Sequence, residues 1–199
     1  MKKPLFIVFE GVDGCGKSLQ AKMLNAYFKK RGLKSLETAE PAFLGKNGAK
    51  LRRVLQKKEK VSSLTFQKMF VQDRKLHLSK TVNPSLKKDV SVISSRYVLS
   101  TIAYGAISEK IETLLSLNQN FPYPDFTFIL KTPIETCLKR IMKRGKETEF
   151  FEKIKILKQV SRNYKLAAKN YPNVYILNGD KNPEKIHKDI LKIINHESV

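Results

Sequence analysis

Apolar residues follow two alternating patterns along this chain. Short, nearly continuous apolar runs are typical of strands that are buried on both faces of a parallel sheet. The runs that we interpret as strands begin at Leu5 and cover residues 33–39, 90–95, 125–130 and 174–177. Between these runs, apolar positions recur three or four residues apart, which is the spacing of an amphipathic helix.

The predicted helices have recognisable ends. Gly32 follows the last apolar position of the first helix and is expected to cap its C-terminus. Asn83-Pro84 is expected to end the long third helix, and Thr132 is expected to cap a helix that begins at Pro133. Further helices are predicted over 46–58, 62–82 and 149–170. Another is predicted to follow the third strand and to continue to about Leu117, and a last one to follow Asn182-Pro183.

Strands that alternate with helices throughout predict an α/β fold with three layers. Right-handed crossovers then give a five-stranded parallel sheet flanked by helices. The length of 199 residues fits a single domain, 1–199, with a sizeable core.

The turn after the first strand reads Gly-Val-Asp-Gly-Cys-Gly-Lys-Ser over residues 11–18, which fits the phosphate-binding pattern G-x-x-x-x-G-K-[ST]. Glycines let the backbone curve around an anion, so that successive N–H groups point at phosphate oxygens, and the following helix adds its positive end. We expect Lys17 to reach the terminal phosphates of a nucleotide and the Ser18 hydroxyl to ligate magnesium.

The chain is strongly basic, with a net charge of +21 and a pI near 10.0. Nucleic acid is therefore a candidate partner. However, the excess is mostly Lys and is spread along the chain, so we favour a solvated surface over polyanion binding. No apolar stretch approaches the length of a membrane span, which predicts no membrane partner. The two cysteines form neither a metal spacing nor a disulfide framework, so a cytoplasmic location is expected.

Further motifs follow the phosphate-binding turn. The first strand and turn carry Phe6, Phe9, Glu10, Gly11, Asp13, Gly14, Gly16 and Lys17. Later motifs are Glu40-Pro41, the helical pair Phe70 and Arg74, the group Arg96, Tyr97, Ser100, Ala103 and Tyr104, and the group Pro124, Asp125 and Thr127. In order and spacing the chain resembles the thymidylate kinase family over nearly its full length.

The resemblance implies a P-loop kinase that transfers the terminal phosphoryl group of ATP to dTMP, giving dTDP for dTTP synthesis, with Mg²⁺ as cofactor and Ser18 as a metal ligand. The residues implied to bind ATP are Gly11, Val12, Asp13, Gly14, Cys15, Gly16, Lys17 and Ser18. Those implied to bind the acceptor nucleotide are Glu40, Pro41, Phe70, Arg74, Arg96, Ser100 and Tyr104. The implied catalytic residues are Lys17, Arg96 and Arg144.

Several of these residues have specific implied roles. Arg74 and Arg96 would grip the acceptor phosphate, as guanidinium geometry favours. Phe70 would stack on the base, and Tyr104 would crowd the 2' position of the sugar. The basic segment at about 140–150 would form a short lid that closes over the transferring phosphate.

Four features depart from the family pattern, of which the change to Leu19 in place of the frequent Thr is minor. Ser95 stands where an Asp is expected. Ala39 stands where an arginine is usual beside Glu40-Pro41, so one phosphate contact is absent or comes from Lys46 or Lys50. Phe150 stands where bacterial members carry a lid arginine, which leaves Arg140 or Arg144 as its replacement.

Two alternative functions remain open at this point. In the first alternative, the chain is a kinase of another nucleoside monophosphate or of a nucleoside, since its acceptor loop departs from the family pattern. Alternatively, it is a weakly active or inactive nucleotide-binding protein that associates with nucleic acid through its charge. A homodimer is implied by the resemblance alone.

Overall fold

The computed structural model describes residues 3–143 and 150–197. Within them, five parallel strands form one sheet in the order β2-β3-β1-β4-β5, which confirms the α/β prediction. The strands are β1 (Phe6–Glu10), β2 (Ser35–Ala39), β3 (Ser91–Ser95), β4 (Phe126–Lys131) and β5 (Val174–Asn178).

The central strand β1 is buried along its whole length. It pairs with β3 on one side and with β4 on the other, in a register that sets Phe9 opposite Ser95 and Glu10 opposite Ile129. Because all strands run the same way, their C-terminal ends meet at one edge of the sheet, where ligands bind in folds of this class.

Helices flank the sheet. They are α1 (Lys17–Lys30), α2 (Gly45–Leu55), α3 (Ser63–His77), α4 (Asn83–Lys87), α5 (Val98–Gly105), α6 (Ile111–Asn118), α7 (Ile134–Met142), α8 (Phe150–Ala168) and α9 (Pro183–Glu197). Gly32 has a φ of +71°, which suits its predicted place after the end of α1. No helix in the described ranges is both long and apolar enough to cross a membrane.

Two predicted helix ends are wrong. The helical backbone does not stop at Asn83-Pro84, because a π-helical turn (Leu78–Val82) joins α3 to α4. Pro84 lies in the first turn of α4, so the helical backbone passes through a proline that has no N–H group to donate. The helix predicted to continue to Leu117 is two helices, α5 and α6, separated by residues 106–110.

The predicted cap of α7 is also wrong. Pro133 occupies the N-cap position and Thr132 makes no capping bond. Instead, the Thr132 hydroxyl donates to the Cys15 carbonyl at 3.0 Å. Thr132 therefore ties the end of β4 to the phosphate-binding turn.

The contact between α1 and α9 leads to a prediction on pH. His187 of α9 lies edge-on to the Tyr27 ring, and its Nδ1 is buried without a hydrogen-bond partner in the described residues. Burial lowers the pKa of His187 from its usual 6.5. The unfolded chain therefore binds this proton more readily, and stability is lost as the pH falls below about 6.5. We expect His187→Gln to reduce the fall in Tm between pH 7.5 and 5.5.

The exposed His196 near the end of α9 gives the matched control. His196→Gln is expected to leave the pH dependence of Tm as in the wild type. An equal effect of both substitutions would contradict the role given to His187.

Candidate active site

The phosphate-binding turn lies between β1 and α1, as predicted. Gly14 has a φ of +82°, and a Cβ there would come within 2.4 Å of the Cys137 carbonyl oxygen. Gly16, just before α1, has a φ of +110°. Both positions favour glycine, since other residues rarely adopt these angles and α7 leaves no room beside Gly14.

The side chain of Lys17 is folded into this turn. Its Nζ donates to the carbonyl oxygens of Gly11 at 2.9 Å and Val12 at 2.8 Å. The residue is only 7% exposed, and this burial lowers its pKa. Two neutral carbonyls are weaker partners for an ammonium group than phosphate oxygens. We therefore expect a phosphate bound at this turn to replace the two carbonyls as the partner of Lys17.

Arg96 and Tyr104 meet the turn at Asp13. Arg96 Nη2 lies 2.5 Å from Asp13 Oδ1, and the Tyr104 hydroxyl donates to Asp13 Oδ2 at 3.1 Å. Desolvation opposes ionisation of Asp13, but the charges of Arg96 and Lys17 outweigh it and lower the pKa of Asp13. Residues predicted for the donor site and for the acceptor site are thus in direct contact.

The backbone and the side chain of Arg96 are both fixed. Its φ is +74°, and its N–H donates to the Phe9 carbonyl at 2.8 Å. Nη1 donates to Ser100 Oγ at 3.0 Å, and the guanidinium carbon lies 5.1 Å from the centre of the Tyr104 ring. A left-handed backbone at an arginine in a cleft is the kind of outlier that occurs at functional sites.

An open cleft of about 540 Å³ extends from the turn to the ends of β2 and β3. Its walls include Asp13, Lys17, Ser18, Glu40, Ser95 and Arg96. Ser95 is 6% exposed, and its hydroxyl oxygen is buried without a hydrogen-bond partner in the described residues. An unpaired buried hydroxyl is costly, so this atom suits a bound ligand or water.

Arg74 is not placed in this cleft with Arg96. It is 1% exposed, and its guanidinium donates to Glu40 at 2.8 Å, Asn118 at 2.5 Å and Thr101 at 2.7 Å. The rings of Tyr97 and Phe121 lie 5.0 Å and 5.2 Å from it. The predicted pairing of two arginines on one phosphate has no support in this arrangement. Arg74 instead holds Glu40, which lines the cleft.

The loop that begins at Glu40-Pro41 is fastened to α3. Asp73 accepts hydrogen bonds from the backbone N–H groups of Ala42 at 2.7 Å and Leu44 at 3.2 Å. His77 Nδ1 lies 3.2 Å from Glu40 Oε1, and His77 Nε2 lies 2.8 Å from Thr38 Oγ1. Asp73 and His77 were missed in the sequence, although they lie four residues apart on α3, on either side of Arg74.

Other predicted residues have mixed placements. Phe70 is half-buried on α3, with its ring 4.9 Å from the ring of Phe66. Lys50 forms an ion pair with Glu59 at 3.3 Å, so of the two lysines considered for a phosphate contact only Lys46 has no ion pair among the described residues.

The predicted lid falls largely outside the described residues. Arg144 lies there, so its role stays a prediction. Arg140 of α7 donates from Nη1 to the Gly14 carbonyl at 3.4 Å. This contact places one of the two candidate lid arginines beside the phosphate-binding turn.

Glu10 is a buried residue that sequence reasoning left without a role. Its carboxylate accepts from the backbone N–H groups of Tyr97 at 2.8 Å and Ser100 at 3.1 Å, from the Ser100 hydroxyl, and from the Tyr164 hydroxyl at 3.1 Å. Desolvation raises its pKa, although the donors of Ser100 and Tyr97 and the charge of Arg96 oppose that rise. A carboxylate at the end of a buried strand was itself the available signal, since buried charges need partners.

Comparison with known proteins agrees with this geometry. A family model described as thymidylate kinase matches residues 9–190. The protein named probable thymidylate kinase of Thermococcus onnurineus is 37% identical, over 97% of this chain and 98% of its own. The thymidylate kinase of Desulfotalea psychrophila is 35% identical, over 93% of this chain and 91% of its own.

A solved structure supports the fold. The thymidylate kinase of Candida albicans superposes with a TM-score of 0.82 at 23% identity, covering 98% of this chain and 93% of that one. At this identity the likeness supports the fold alone. Because the family model matches residues 9–190 and the relatives that are 37% and 35% identical cover nearly the whole chain, this chain belongs to the thymidylate kinase family.

Proposed function

We propose that this enzyme transfers the terminal phosphoryl group of ATP to dTMP, which gives dTDP for the synthesis of dTTP. The observation that carries the proposal is the contact of Arg96 with Asp13. It joins the turn that binds the donor to the arginine suited to the acceptor phosphate, across one cleft. Family membership gives the reaction class, an ATP-dependent nucleoside monophosphate kinase.

On the donor side, residues 11–18 surround the phosphates of ATP. Backbone N–H groups of the turn and the N-terminus of α1 supply positive potential. Lys17 leaves its two carbonyl partners and moves to the terminal phosphates. Arg140, already in contact with Gly14, adds a second positive charge at this end.

On the acceptor side, Arg96 holds the monophosphate while Ser100 and Tyr104 keep its guanidinium in place. Tyr104 borders the sugar, and Phe70 offers a ring to the base. Arg74 supports the acceptor loop through Glu40, and Pro41 follows Glu40 in that loop. This assignment replaces the direct phosphate contact predicted for Arg74.

The residues of the cleft fit a magnesium ion carried by the nucleotide. Ser18 lines the cleft, as does Ser95, whose hydroxyl has no partner among the described residues. Among the described residues, no cluster of three or more His, Cys, Asp or Glu side chains is suited to a metal, so most ligands would come from phosphates and water. Bound Mg²⁺ would neutralise charge on the phosphates.

Catalysis is attributed to positioning and to neutralisation of charge on the transferring group. Lys17 and Arg96 approach that group from the donor and acceptor sides, and Arg144 is the proposed lid residue. A closed lid at about 140–150 would exclude water. The homodimer implied by the family resemblance and the cytoplasmic location expected from the cysteines stay predictions.

The proposed function is tested by ADP release in a coupled assay. Saturating ATP and Mg²⁺ are combined with dTMP, dUMP, UMP, CMP or thymidine as acceptor. We expect the highest kcat/KM with dTMP. Turnover with another acceptor and none with dTMP above background would reject the proposal. Absence of transfer to every acceptor, together with salt-sensitive DNA binding, would favour the nucleic-acid alternative.

Replacement of Ser95 by Asp is expected to strengthen magnesium binding. A carboxylate beside Ser18 would accept hydrogen bonds from the water shell of the ion, and such outer ligands typically change metal affinity by about 10 to 100-fold. We expect the Mg²⁺ concentration at half-maximal activity to fall by about tenfold. The affinity of Mn²⁺ for the complex with an ATP analogue, measured by electron paramagnetic resonance, gives a second readout.

Ser95→Asn is the matched control, because it adds nearly the same volume without the charge. It should not lower the required Mg²⁺ concentration. If Ser95→Asp and Ser95→Asn behave alike, Ser95 does not face the metal.

A further inference from the structure

The guanidinium of Arg96 is held from two directions. Asp13 contacts it from the phosphate-binding turn. From α5, Ser100 accepts from Nη1 at 3.0 Å, and the ring of Tyr104 lies beneath the guanidinium carbon at 5.1 Å. The side chain of Asp13 is 57% accessible, whereas Ser100 is only 8% exposed, so the buried support comes from α5.

Tyr164 of α8 lies directly behind both supports from α5. Its hydroxyl oxygen is 2.8 Å from Ser100 Oγ, and its ring meets the ring of Tyr104 edge-on, with 6.5 Å between centres. Tyr164 is only 2% exposed. It is therefore part of the core, yet it contacts each of the two residues that hold Arg96 from within.

The hydrogen bonds that Arg96 donates and that Glu10 accepts have a defined direction. Ser100 Oγ accepts from Arg96, and its single proton is donated to the Glu10 carboxylate. Tyr164 also donates to this carboxylate, at 3.1 Å. As long as Glu10 accepts, the lone pairs of Ser100 remain turned toward Arg96. Tyr164 thus helps to fix the orientation of the hydroxyl that receives the arginine.

Loss of the Tyr164 hydroxyl would weaken this arrangement in a specific way. Glu10 is fully buried. The polar groups around it are Arg96 and Tyr97 just before α5, Ser100 on α5, Tyr164 on α8 and Lys17 on α1. A buried carboxylate that loses a donor is more readily protonated. A protonated Glu10 would donate to Ser100 and compete with the N–H group of Arg96.

We propose that Tyr164 is a positioning residue for phosphate recognition, because it orients Arg96 through Ser100, Glu10 and Tyr104 without contacting the substrate. The inference rests on the proposed function in one respect, namely that Arg96 binds the acceptor phosphate. It adds a buried residue of α8, more than 60 positions away in sequence, to the acceptor site.

The test compares Tyr164→Phe with the wild type in two titrations, one with dTMP and one with thymidine, by calorimetry. Phenylalanine keeps the ring against Tyr104 and removes only the hydroxyl. We expect the affinity for dTMP to fall by about 3- to 10-fold, the effect of one lost hydrogen bond. The affinity for thymidine, which has no phosphate, and the KM for ATP are expected to stay within about twofold.

Tyr171→Phe is the matched control, since Tyr171 is half-buried just beyond α8 and faces Tyr123. It should change neither affinity. Equal losses for dTMP and thymidine in Tyr164→Phe, or no loss for either, would overturn the inference. If Tyr164→Phe does not fold, as judged by its Tm, Ser100→Ala replaces it and must show the same phosphate-selective loss. Wild-type enzyme without dTMP turnover would instead reject the proposed function.

Discussion

Arg96→Met is expected to lower kcat/KM for dTMP by about a thousandfold, which is the largest predicted loss of activity. An arginine that stabilises the charge on a transferring phosphoryl group contributes about 10³ or more to the rate. Arg96 is only 20% exposed, and this burial by itself would lower its pKa. The neighbouring Tyr164, Asp13 and Tyr104 outweigh it and raise the already high pKa of Arg96, so it stays charged at any working pH. The measurement is steady-state kinetics with each substrate varied in turn.

Two further variants separate charge from geometry at this position. Arg96→Lys keeps a charge but has no planar fork, so we expect an intermediate loss of about 10- to 100-fold. Arg162→Met removes an exposed arginine of α8 and serves as the surface control, with activity unchanged. A loss of less than tenfold in Arg96→Met would contradict its place at the acceptor phosphate.

Arg74→Met is expected to act on stability. The substitution leaves the Glu40 carboxylate, whose side chain is 5% exposed, without its 2.8 Å partner. Removing one member of a buried ion pair typically costs about 3–5 kcal/mol of unfolding free energy, since the other charge stays buried. Denaturant unfolding measures this change, and Arg162→Met again gives the surface control.

The double variant Arg74→Met with Glu40→Gln sharpens this test. Because it removes both charges, we expect it to recover part of the stability lost in the single variant. An Arg74→Met protein of wild-type stability with a raised KM for dTMP would show the opposite. It would restore the role first predicted for Arg74, as a ligand of the acceptor phosphate.

Local signals in the sequence were sufficient for the strands and for the donor turn. Each strand is a short apolar run, and the geometry of residues 11–18 depends on glycines at fixed spacing, which a single stretch of sequence records. The ends of α3 and α7 were less readable. The pair Asn83-Pro84 is compatible both with the end of a helix and with the first turn of a new one. The hydroxyl of Thr132 donates to a carbonyl 117 residues away and does not cap its own helix.

The acceptor side depended on contacts between distant segments. Phe70 and Arg74 are four residues apart on a helix, which predicted that they share one face. This spacing does not reveal whether that face meets a cleft or a buried carboxylate. Glu40 is 34 residues from Arg74, and Tyr164 is 154 residues from Glu10. No periodicity records such pairs, because they are set by how helices pack around the finished sheet.

At the proposed acceptor site, the carboxylate of Asp13 already pairs with the guanidinium of Arg96. In a protein with a net charge of +21, an unquenched arginine would attract any small anion that passes. Here the carboxylate of Asp13 competes with any incoming anion for Arg96. A ligand must therefore carry more than one negative charge to displace it with a favourable change in free energy. A phosphate monoester, whose second ionisation lies near pH 6, meets that condition at neutral pH. If Arg96 binds the acceptor phosphate as proposed, selection for the phosphate begins before any contact with the base.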